Sequence, residues 1–234
     1  MHMFKRFVLL VLTLALFLSP LTVEAAQFNR ERATAYMDIR FECGCHRGGT
    51  GAMVGRRCLL TAGHNLYCHT HGKPLKTCDF RFGPTSTSKC YYQYKGKFQF
   101  WVYDTFQYGY NSQNDIGYVI FESNVGDKTG WFATQVPSAY LIENNAFFFH
   151  AYSSKLKLNR LGELPYMVDN IGLEIWIPNH IDGYSGGPVT LAVEDNEIPP
   201  VVGVYTSTAG DNKTYARLLT QDVFMDMKEN GAFK

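Results

Sequence analysis

A serine in the second half of the chain has neighbours suited to nucleophilic catalysis. Ser185 lies in the segment G-Y-S-G-G-P at 183–188. Flanking glycines permit a tight turn that exposes the serine hydroxyl and directs backbone N–H groups toward the same point. Such groups can bind the oxyanion that develops in acyl transfer, a contribution of about 3–4 kcal/mol per donor. The segment therefore predicts a nucleophile beside an oxyanion hole, and a plain glycine-rich turn is the alternative.

His64 is the candidate base, because a serine hydroxyl reacts only when a base within hydrogen-bond reach takes its proton. It ends the segment T-G-A-M-V-G-R-R-C-L-L-T-A-G-H at 50–64, in which two apolar, strand-like pieces lead into a turn of small residues. Such a turn lets an imidazole project from a rigid β scaffold into a cleft. Five of the other histidines are expected to be ordinary core or surface residues: His2, His46, His69, His71 and His150.

Asp115 is the candidate for the carboxylate that fixes the tautomer and orientation of the imidazole. It precedes the apolar run 116–121 and so stands at the mouth of a buried strand. Asp104 is the rival carboxylate, since its neighbours Tyr103 and Thr105 indicate a polar, aromatic, hairpin-like region.

Short apolar segments separated by turn residues predict that β-strands position these side chains. The segments lie at 52–54, 58–61, 98–103, 116–121, 146–152, 174–177, 189–193 and 201–206. Many short strands without long helices between them favour an all-β fold of barrels or sandwiches. Only the C-terminal end is predicted to be helical, where Thr220 can cap a helix and Gly231 can end it.

The motifs T-A-G-H, N-D-I-G and G-x-S-G-G-P follow one another in the order His, Asp, Ser and resemble those of the chymotrypsin-like serine peptidases. Subtilisins and α/β-hydrolases use the same residue types in other orders. The segment 50–64 is most similar to the bacterial glutamyl endopeptidase branch. The resemblance covers residues 45–220 loosely and the three motifs tightly. It implies two antiparallel six-stranded β-barrels with the three side chains in the cleft between them.

The resemblance also implies a role for each site residue. Ser185 would attack the scissile carbonyl, His64 would shuttle the proton, and Asp115 would orient His64. The backbone N–H groups of Gly183 and Ser185 would form the oxyanion hole. No cofactor and no metal is expected.

Substrate contacts are expected from two further segments. Asn179 stands where trypsin-like enzymes have an aspartate, which argues against cleavage after Lys or Arg. His180 could instead meet an acidic side chain, or it could simply pack beneath the turn. The segment Tyr205, Thr206 and Ser207 would pair with an extended substrate by β-addition. Because glutamyl endopeptidases have a histidine where this chain has Tyr205, a preference for Glu or Asp before the cleaved bond stays one expectation among others.

Tyr184 departs from the pattern of the family. Animal trypsin-like enzymes have an aspartate there, which pairs with a newly freed amino terminus, and bacterial relatives usually have Asn or Gln. Activation by a freed terminus is therefore expected to be absent, although trimming near Arg30 or Arg32 stays open.

The first residues predict a secretory leader. Lys5 and Arg6 precede an apolar run at 7–18, and Val23 and Ala25 supply small residues for cleavage after Ala25. The run is short for a membrane span, and an uncleaved anchor is the alternative. The sequence therefore predicts a secreted chain whose residues 1–25 are removed.

The mature chain is expected to form two comparable halves that meet at the turn-prone stretch 126–129. Residues 26–125 would form the first barrel with His64 and Asp115, and residues 126–234 the second barrel with Ser185 and the C-terminal helix. Loss of the leader changes the formal net charge from +1 to zero, so neither nucleic acid nor a membrane is expected as a partner. A monomer that acts on protein or peptide substrates is predicted.

All six cysteines lie in one stretch, at positions 43, 45, 58, 68, 78 and 90. An even number of cysteines in an exported chain favours disulfides, although the sequence does not choose their pairing. A metal site is the competing interpretation, with these potential ligands: Cys43, Cys45, Cys68, His69, His71 and Cys78. Because the spacings C-x-C and C-H-x-H do not match the paired C-x-x-C of common zinc modules, disulfides are predicted.

These observations predict a secreted serine endopeptidase. A catalytically inactive relative that acts as a binding protein is the first alternative, which Tyr184 and Tyr205 keep open. A secreted esterase is the second, and the order His, Asp, Ser argues against it.

Overall fold

The computed structural model describes residues 28–86, 88–109, 114–162, 166–169, 172–175, 182–194, 197–209 and 213–233. The predicted leader at 1–25 and the predicted substrate residues Asn179 and His180 lie outside this part of the chain. No helix among the described residues is long and apolar enough to cross a membrane.

The first half of the described chain forms a sheet in the order β4-β5-β1-β2-β3-β8-β7, with β6 paired to β5. Its strands are β1 Thr34–Phe41, β2 His46–Met53, β3 Cys58–Thr61, β4 Tyr67–Cys68, β5 Lys73–Ser86, β6 Lys89–Tyr94, β7 Phe98–Val102 and β8 Gly117–Phe121. Alternate residues of a strand face the same side, so β1 buries Ala35, Met37, Ile39 and Phe41 in the core of this sheet.

The second half forms a sheet in the order β11-β10-β14-β15-β16-β13-β12, with β9 paired to β15. Its strands are β9 Ala133–Thr134, β10 Phe147–Tyr152, β11 Leu158–Gly162, β12 Tyr166–Asp169, β13 Gly172–Ile175, β14 Pro188–Leu191, β15 Pro200–Ala209 and β16 Lys213–Leu218. A separate apolar cluster packs between the two sheets, with Leu60 and Tyr118 from the first sheet and Val201 and Val204 from the second.

Helices are more numerous than the sequence suggested. The expectation that only the C-terminal end is helical is wrong, because four short helices precede it in the described part of the chain: α1 Arg30–Ala33, α2 Asp104–Gly109, α3 Gly126–Thr129 and α4 Ala139–Asn144. Helix α2 replaces the hairpin-like region expected around Asp104. Its single turn buries Phe106, which is 1% exposed, and this tertiary contact outweighs the local strand-like pattern.

The predicted C-terminal helix is present as α5, Gln221–Glu229. The Thr220 side chain accepts a hydrogen bond from the Val223 N–H, and Gly231 just beyond the helix has a φ of 84°. Together with the two sheets, whose strands pair antiparallel except for β9 with β15, this helix confirms the predicted all-β, two-barrel fold class. Each described sheet has eight strands rather than six, and one of the eight in each sheet is a two-residue strand, β4 or β9.

The strands of the first sheet end at residue 121 and those of the second begin at residue 133. Helix α3 lies in the connection between them. The division of the chain between residues 125 and 126 stays a prediction.

The expected disulfides are not present, because all six cysteines of the described chain are free thiols. Sheet pairing separates several of them. Cys90 lies opposite Pro84 and not opposite Cys78, while Cys58 is buried in the cluster between the sheets. Burial raises the pKa of the Cys58 and Cys78 thiols, which makes them poorly reactive.

Candidate active site

His64 is presented by a 3-10 turn, Gly63–Asn65, that follows strand β3. The turn packs closely on its surroundings, since a Cβ atom at Gly63 would lie 3.2 Å from both Asp115 Oδ1 and the Phe106 ring. The backbone N–H of His64 donates to Asp115 Oδ1 at 2.8 Å, and the ring Nδ1 lies 2.8 Å from Asp115 Oδ2. Asp115 therefore holds both the turn and the imidazole.

Asp115 reaches this position because it directly precedes the segment that leads into β8, where Gly117 pairs with Thr61 of β3. The carboxylate is buried at 5% exposure. When Nδ1–H donates to Asp115, Nε2 carries the free lone pair and can accept a proton. The rival Asp104 is exposed at the start of α2, so the sequence preference for Asp115 as the partner of His64 agrees with the geometry.

The segment around Ser185 forms a turn that requires glycine at two positions. Gly183 has a φ of 98°, and a Cβ there would lie 2.7 Å from the Tyr152 carbonyl oxygen. Gly186 has a φ of 85°, and a Cβ there would collide with the Thr50 carbonyl oxygen. A left-handed backbone with no room for a side chain explains why these glycines flank the serine.

Of the carbonyl groups at 182–185, three accept hydrogen bonds from other segments, and that of Tyr184 accepts from the Gly187 N–H at 2.9 Å. The Asp182 oxygen accepts from the Ser154 N–H at 2.7 Å, the Gly183 oxygen from the Thr50 hydroxyl at 2.7 Å, and the Ser185 oxygen from the Thr50 N–H at 2.7 Å. In a trans peptide the N–H points away from the preceding C=O, so the Gly183 N–H is directed away from Ser154. No described residue accepts a hydrogen bond from the backbone N–H of Gly183 or Ser185.

Three buried side chains from the first half of the chain hold this turn, directly or through one another, and the sequence interpretation missed them as site residues. The Asn65 side-chain amide donates to the Ser185 carbonyl at 2.8 Å and to the Thr61 hydroxyl at 3.0 Å. Thr61 in turn donates to the Thr50 carbonyl at 2.7 Å. The only sequence signal was that Thr50, Thr61 and Asn65 lie within or next to the segment that ends in His64.

His64 and Ser185 line the same cavity, which has a volume of about 410 Å³. The other lining residues are Arg47, Gly48, Ser154, Asp182 and Gly183. The Ser185 hydroxyl donates to the Thr206 carbonyl at 3.5 Å, a weak bond, and within the described structure it makes none to the His64 ring. Catalysis would therefore require the hydroxyl to exchange its bond to the Thr206 carbonyl for one to the imidazole.

Two tyrosines near the site are core residues. Tyr205 is 0% exposed and Tyr184 is 2% exposed, and both rings pack against Phe149, with centroids 5.1 Å and 5.4 Å away. The Tyr205 ring therefore lies away from the cavity, so only its main chain could contact a substrate. Beside it, Thr206 uses its hydroxyl to bind the Tyr215 carbonyl at 3.1 Å, and Ser207 pairs with Tyr215 along β16.

The other histidines have distinct surroundings. His150 is a core residue at 1% exposure, and burial lowers its pKa to about 3. His46 is exposed, and its ring Nε2 contacts the Asp38 carboxylate. His69 packs edge-on against Phe106, with ring centroids 4.2 Å apart, and burial lowers its pKa. His71 is the exception, because it lies in a cluster of cysteines rather than alone on the surface.

No protein-family model and no curated protein sequence matches this chain. Solved structures do. The protease Anisep from Arthrobacter nicotinovorans aligns with a TM-score of 0.69 at 16% identity, over 87% of this chain and 96% of that one. A Glu endopeptidase in complex with MPD aligns with a TM-score of 0.70 at 14% identity, over 90% and 95% of the two chains.

A thermostable serine protease, AL20, from an extremophilic microorganism aligns with a TM-score of 0.72 at 12% identity, over 87% of this chain and 99% of the other. These neighbours span nearly the full length of each protein, so the similarity concerns the whole architecture and not one barrel. At sequence identities this low, the structural similarity shows the fold alone. The chain therefore has the two-barrel fold of the chymotrypsin-like serine peptidases, including the glutamyl endopeptidase branch that its sequence resembles.

Proposed function

We propose that this protein is a secreted serine endopeptidase whose catalytic residues are His64, Asp115 and Ser185. The observation that carries the proposal is the shared cavity, in which Ser185 faces a histidine whose Nδ1 lies 2.8 Å from a buried carboxylate. The fold and the protease names of its structural neighbours support the same reaction class.

In the proposed reaction, the Ser185 hydroxyl leaves the Thr206 carbonyl and turns toward Nε2 of His64. Nε2 takes the hydroxyl proton as the oxygen attacks the scissile carbonyl carbon. The Asp115 carboxylate keeps Nδ1 protonated and stabilises the imidazolium that forms. The imidazolium then protonates the leaving amine, and an acyl-enzyme on Ser185 remains. Water, deprotonated by the same nitrogen, releases the acid product and restores the hydroxyl.

The negative charge of each tetrahedral intermediate would be bound by the N–H groups of Gly183 and Ser185. The orientation of the Gly183 N–H is supported by the preceding Asp182 carbonyl, which accepts from the Ser154 N–H at 2.7 Å, and that of the Ser185 N–H by the Tyr184 carbonyl, which accepts from the Gly187 N–H at 2.9 Å. Donors held in this way need no reorganisation when charge develops, which is why such a site lowers the barrier.

A peptide substrate would pair with β15 beyond the point where its described pairing with β14 ends. That pairing, continued by the turn before β14, reaches Tyr205, whose N–H donates to the Gly187 carbonyl at 2.8 Å, whereas β15 continues to Ala209. The main chain of Thr206 and Ser207 can therefore pair with an extended substrate next to Ser185, which favours endopeptidase over esterase activity.

For specificity, we propose a preference for an acidic residue before the cleaved bond. The Glu endopeptidase among the structural neighbours and the presence of His180 before the serine support it. Within the cavity, the described wall carries both a cation, Arg47, and a carboxylate, Asp182, so the wall alone does not select an acidic side chain.

The proposal is tested by incubating the mature chain with a mixed peptide library and identifying the cleaved bonds. Wild type is expected to cleave internal bonds, chiefly after Glu or Asp. Ser185→Ala is expected to lose about 10⁴- to 10⁶-fold in kcat, whereas a matched change at an exposed serine, Ser123→Ala, keeps full activity. Wild-type inactivity would indicate the binding-protein alternative, and cleavage mainly after Lys or Arg would overturn the specificity.

A further inference from the structure

The strongest feature outside the cavity is a cluster of three cysteines and one histidine. Sγ atoms of Cys43, Cys45 and Cys68 and a ring nitrogen of His71 all lie within 4.8 Å of one another. Of the six cysteines, these three converge on a point together with a histidine, and no other such group is present among the described residues. We propose that these four residues bind a structural zinc ion.

Two hairpin turns each supply two of the ligands. Cys43 and Cys45 flank Gly44 in the turn between β1 and β2, where the Gly44 N–H donates to the Phe41 carbonyl at 3.0 Å. Gly44 has a φ of 87°, and this left-handed residue tightens the turn so that both sulfurs project to one side.

Cys68 and His71 belong to the hairpin between β4 and β5. Cys68 pairs with Lys73, and the Gly72 N–H closes the turn on the His69 carbonyl at 3.3 Å. The two turns are tied together by main-chain contact, since the Glu42 N–H donates to the Pro74 carbonyl at 3.1 Å. The ligands are therefore brought together by sheet pairing and not by proximity along the chain.

The distances suit tetrahedral coordination. Zinc binds sulfur at about 2.3 Å and imidazole nitrogen at about 2.0 Å, so the edges between ligand atoms of a tetrahedron measure about 3.5 to 3.8 Å. His71 Nδ1 lies 3.3 Å from Cys45 Sγ and 3.7 Å from Cys68 Sγ. A small adjustment of side chains would place an ion at the centre.

The donor set also indicates the metal. Three thiolates and one neutral imidazole form a soft, four-coordinate site with no open position, which is typical of structural zinc rather than of catalytic zinc or of calcium. A disulfide would use only two of the three cysteines and would leave a thiol and an imidazole at the same point. Four ligands that converge are explained more completely by one ion.

The site lies close to the candidate catalytic histidine. Cys68 follows the turn that carries His64, and the intervening Leu66 is fixed by a bond from the Leu75 N–H to its carbonyl at 2.8 Å. On the C-terminal side of Cys68, the His69 ring packs against Phe106, which also lies against Gly63. An ion at the cluster would therefore stabilise the segment that leads away from His64.

Metal content of the purified mature chain tests the proposal independently of any activity. Elemental analysis is expected to find about one zinc ion per chain. Cys68→Ser and His71→Ala are expected to lose it, whereas Cys90→Ser, which changes a cysteine outside the cluster, retains it. Should a ligand variant fail to fold, cobalt titration of wild-type protein stripped of metal gives a second readout, because tetrahedral thiolate coordination produces characteristic visible absorption.

Three results would contradict the proposed zinc site, its metal or its ligands. A wild-type chain that contains no stoichiometric metal, gives no cobalt–thiolate absorption and shows a peptide crosslink between two of Cys43, Cys45 and Cys68 would establish a disulfide and overturn the zinc site. Stoichiometric iron or copper in place of zinc would overturn the choice of metal. Zinc retained by both ligand variants would overturn the choice of ligands.

Discussion

The two sides of the cleft are built by different means. On the first-sheet side, His64 is held by the Asp115 side chain, which binds both its ring and its backbone. On the second-sheet side, Ser185 is positioned through its main chain, whose carbonyls are bound by Thr50 and Asn65 from the opposite sheet. A reactive side chain can thus be positioned by a neighbour that takes part in the reaction, or by hydrogen bonds to its main chain from residues that do not.

Removal of the Asp115 charge is expected to have the largest effect. Asp115→Asn keeps the shape of the side chain but favours the wrong tautomer of His64, so kcat should fall about 10⁴-fold while KM changes little. The matched control is Asp104→Asn, which neutralises the exposed carboxylate on α2. Steady-state kinetics on a peptide substrate measure both, and equal losses in the two variants would contradict the assignment.

The change Thr50→Val, which removes a support of the Ser185 turn on the second-sheet side, is expected to have an intermediate effect. Valine retains the volume but removes the hydroxyl that donates to the Gly183 carbonyl and accepts from the Tyr152 N–H at 3.0 Å. A misplaced turn should lower kcat about 10- to 100-fold, and the buried groups left unpaired should cost about 1–3 kcal/mol of stability.

Thr50→Ser separates positioning from packing, since it restores the hydroxyl and loses only a methyl group. It should recover most of kcat, with KM similar in all three proteins. A serine variant as slow as the valine variant would show that the hydroxyl does not position the turn.

Metal removal is expected to have the smallest effect on catalysis, because the proposed zinc site supports the His64 side from outside the cleft. Chelation should lower kcat about two- to tenfold and lower the Tm by about 5–15 °C. Added zinc should restore both, and Cys90→Ser should respond like wild type. If the chelator changes neither quantity, the cluster does not stabilise the His64 segment.

The difference between contacts within one segment and contacts between distant segments explains what the sequence could predict. Strand β3 at Cys58–Thr61 and the cap at Thr220 were predicted because each depends on a local pattern of residues. The pairing of His64 with Asp115 was predicted because both stand beside recognisable strands. Patterns within one short segment carry this information without knowledge of the tertiary structure.

What was missed depends on contacts between distant segments. Thr50 binds Gly183 and Asn65 binds Ser185 only because the two sheets meet. Likewise, the convergence of Cys43, Cys45, Cys68 and His71 does not follow from their spacings, because two hairpins joined by main-chain contact bring them together. Helix α2 at Asp104–Gly109 was missed for a related reason, since burial of Phe106 stabilises it.

The central claim is that Ser185 is a nucleophile made reactive by His64. Labelling the mature chain with a fluorophosphonate and mapping the adduct by peptide mass spectrometry tests it most directly. The account predicts one adduct, on Ser185, that is absent from Ser185→Ala and much slower to form in His64→Ala. An unlabelled wild-type chain, or an adduct that persists in Ser185→Ala, would contradict it.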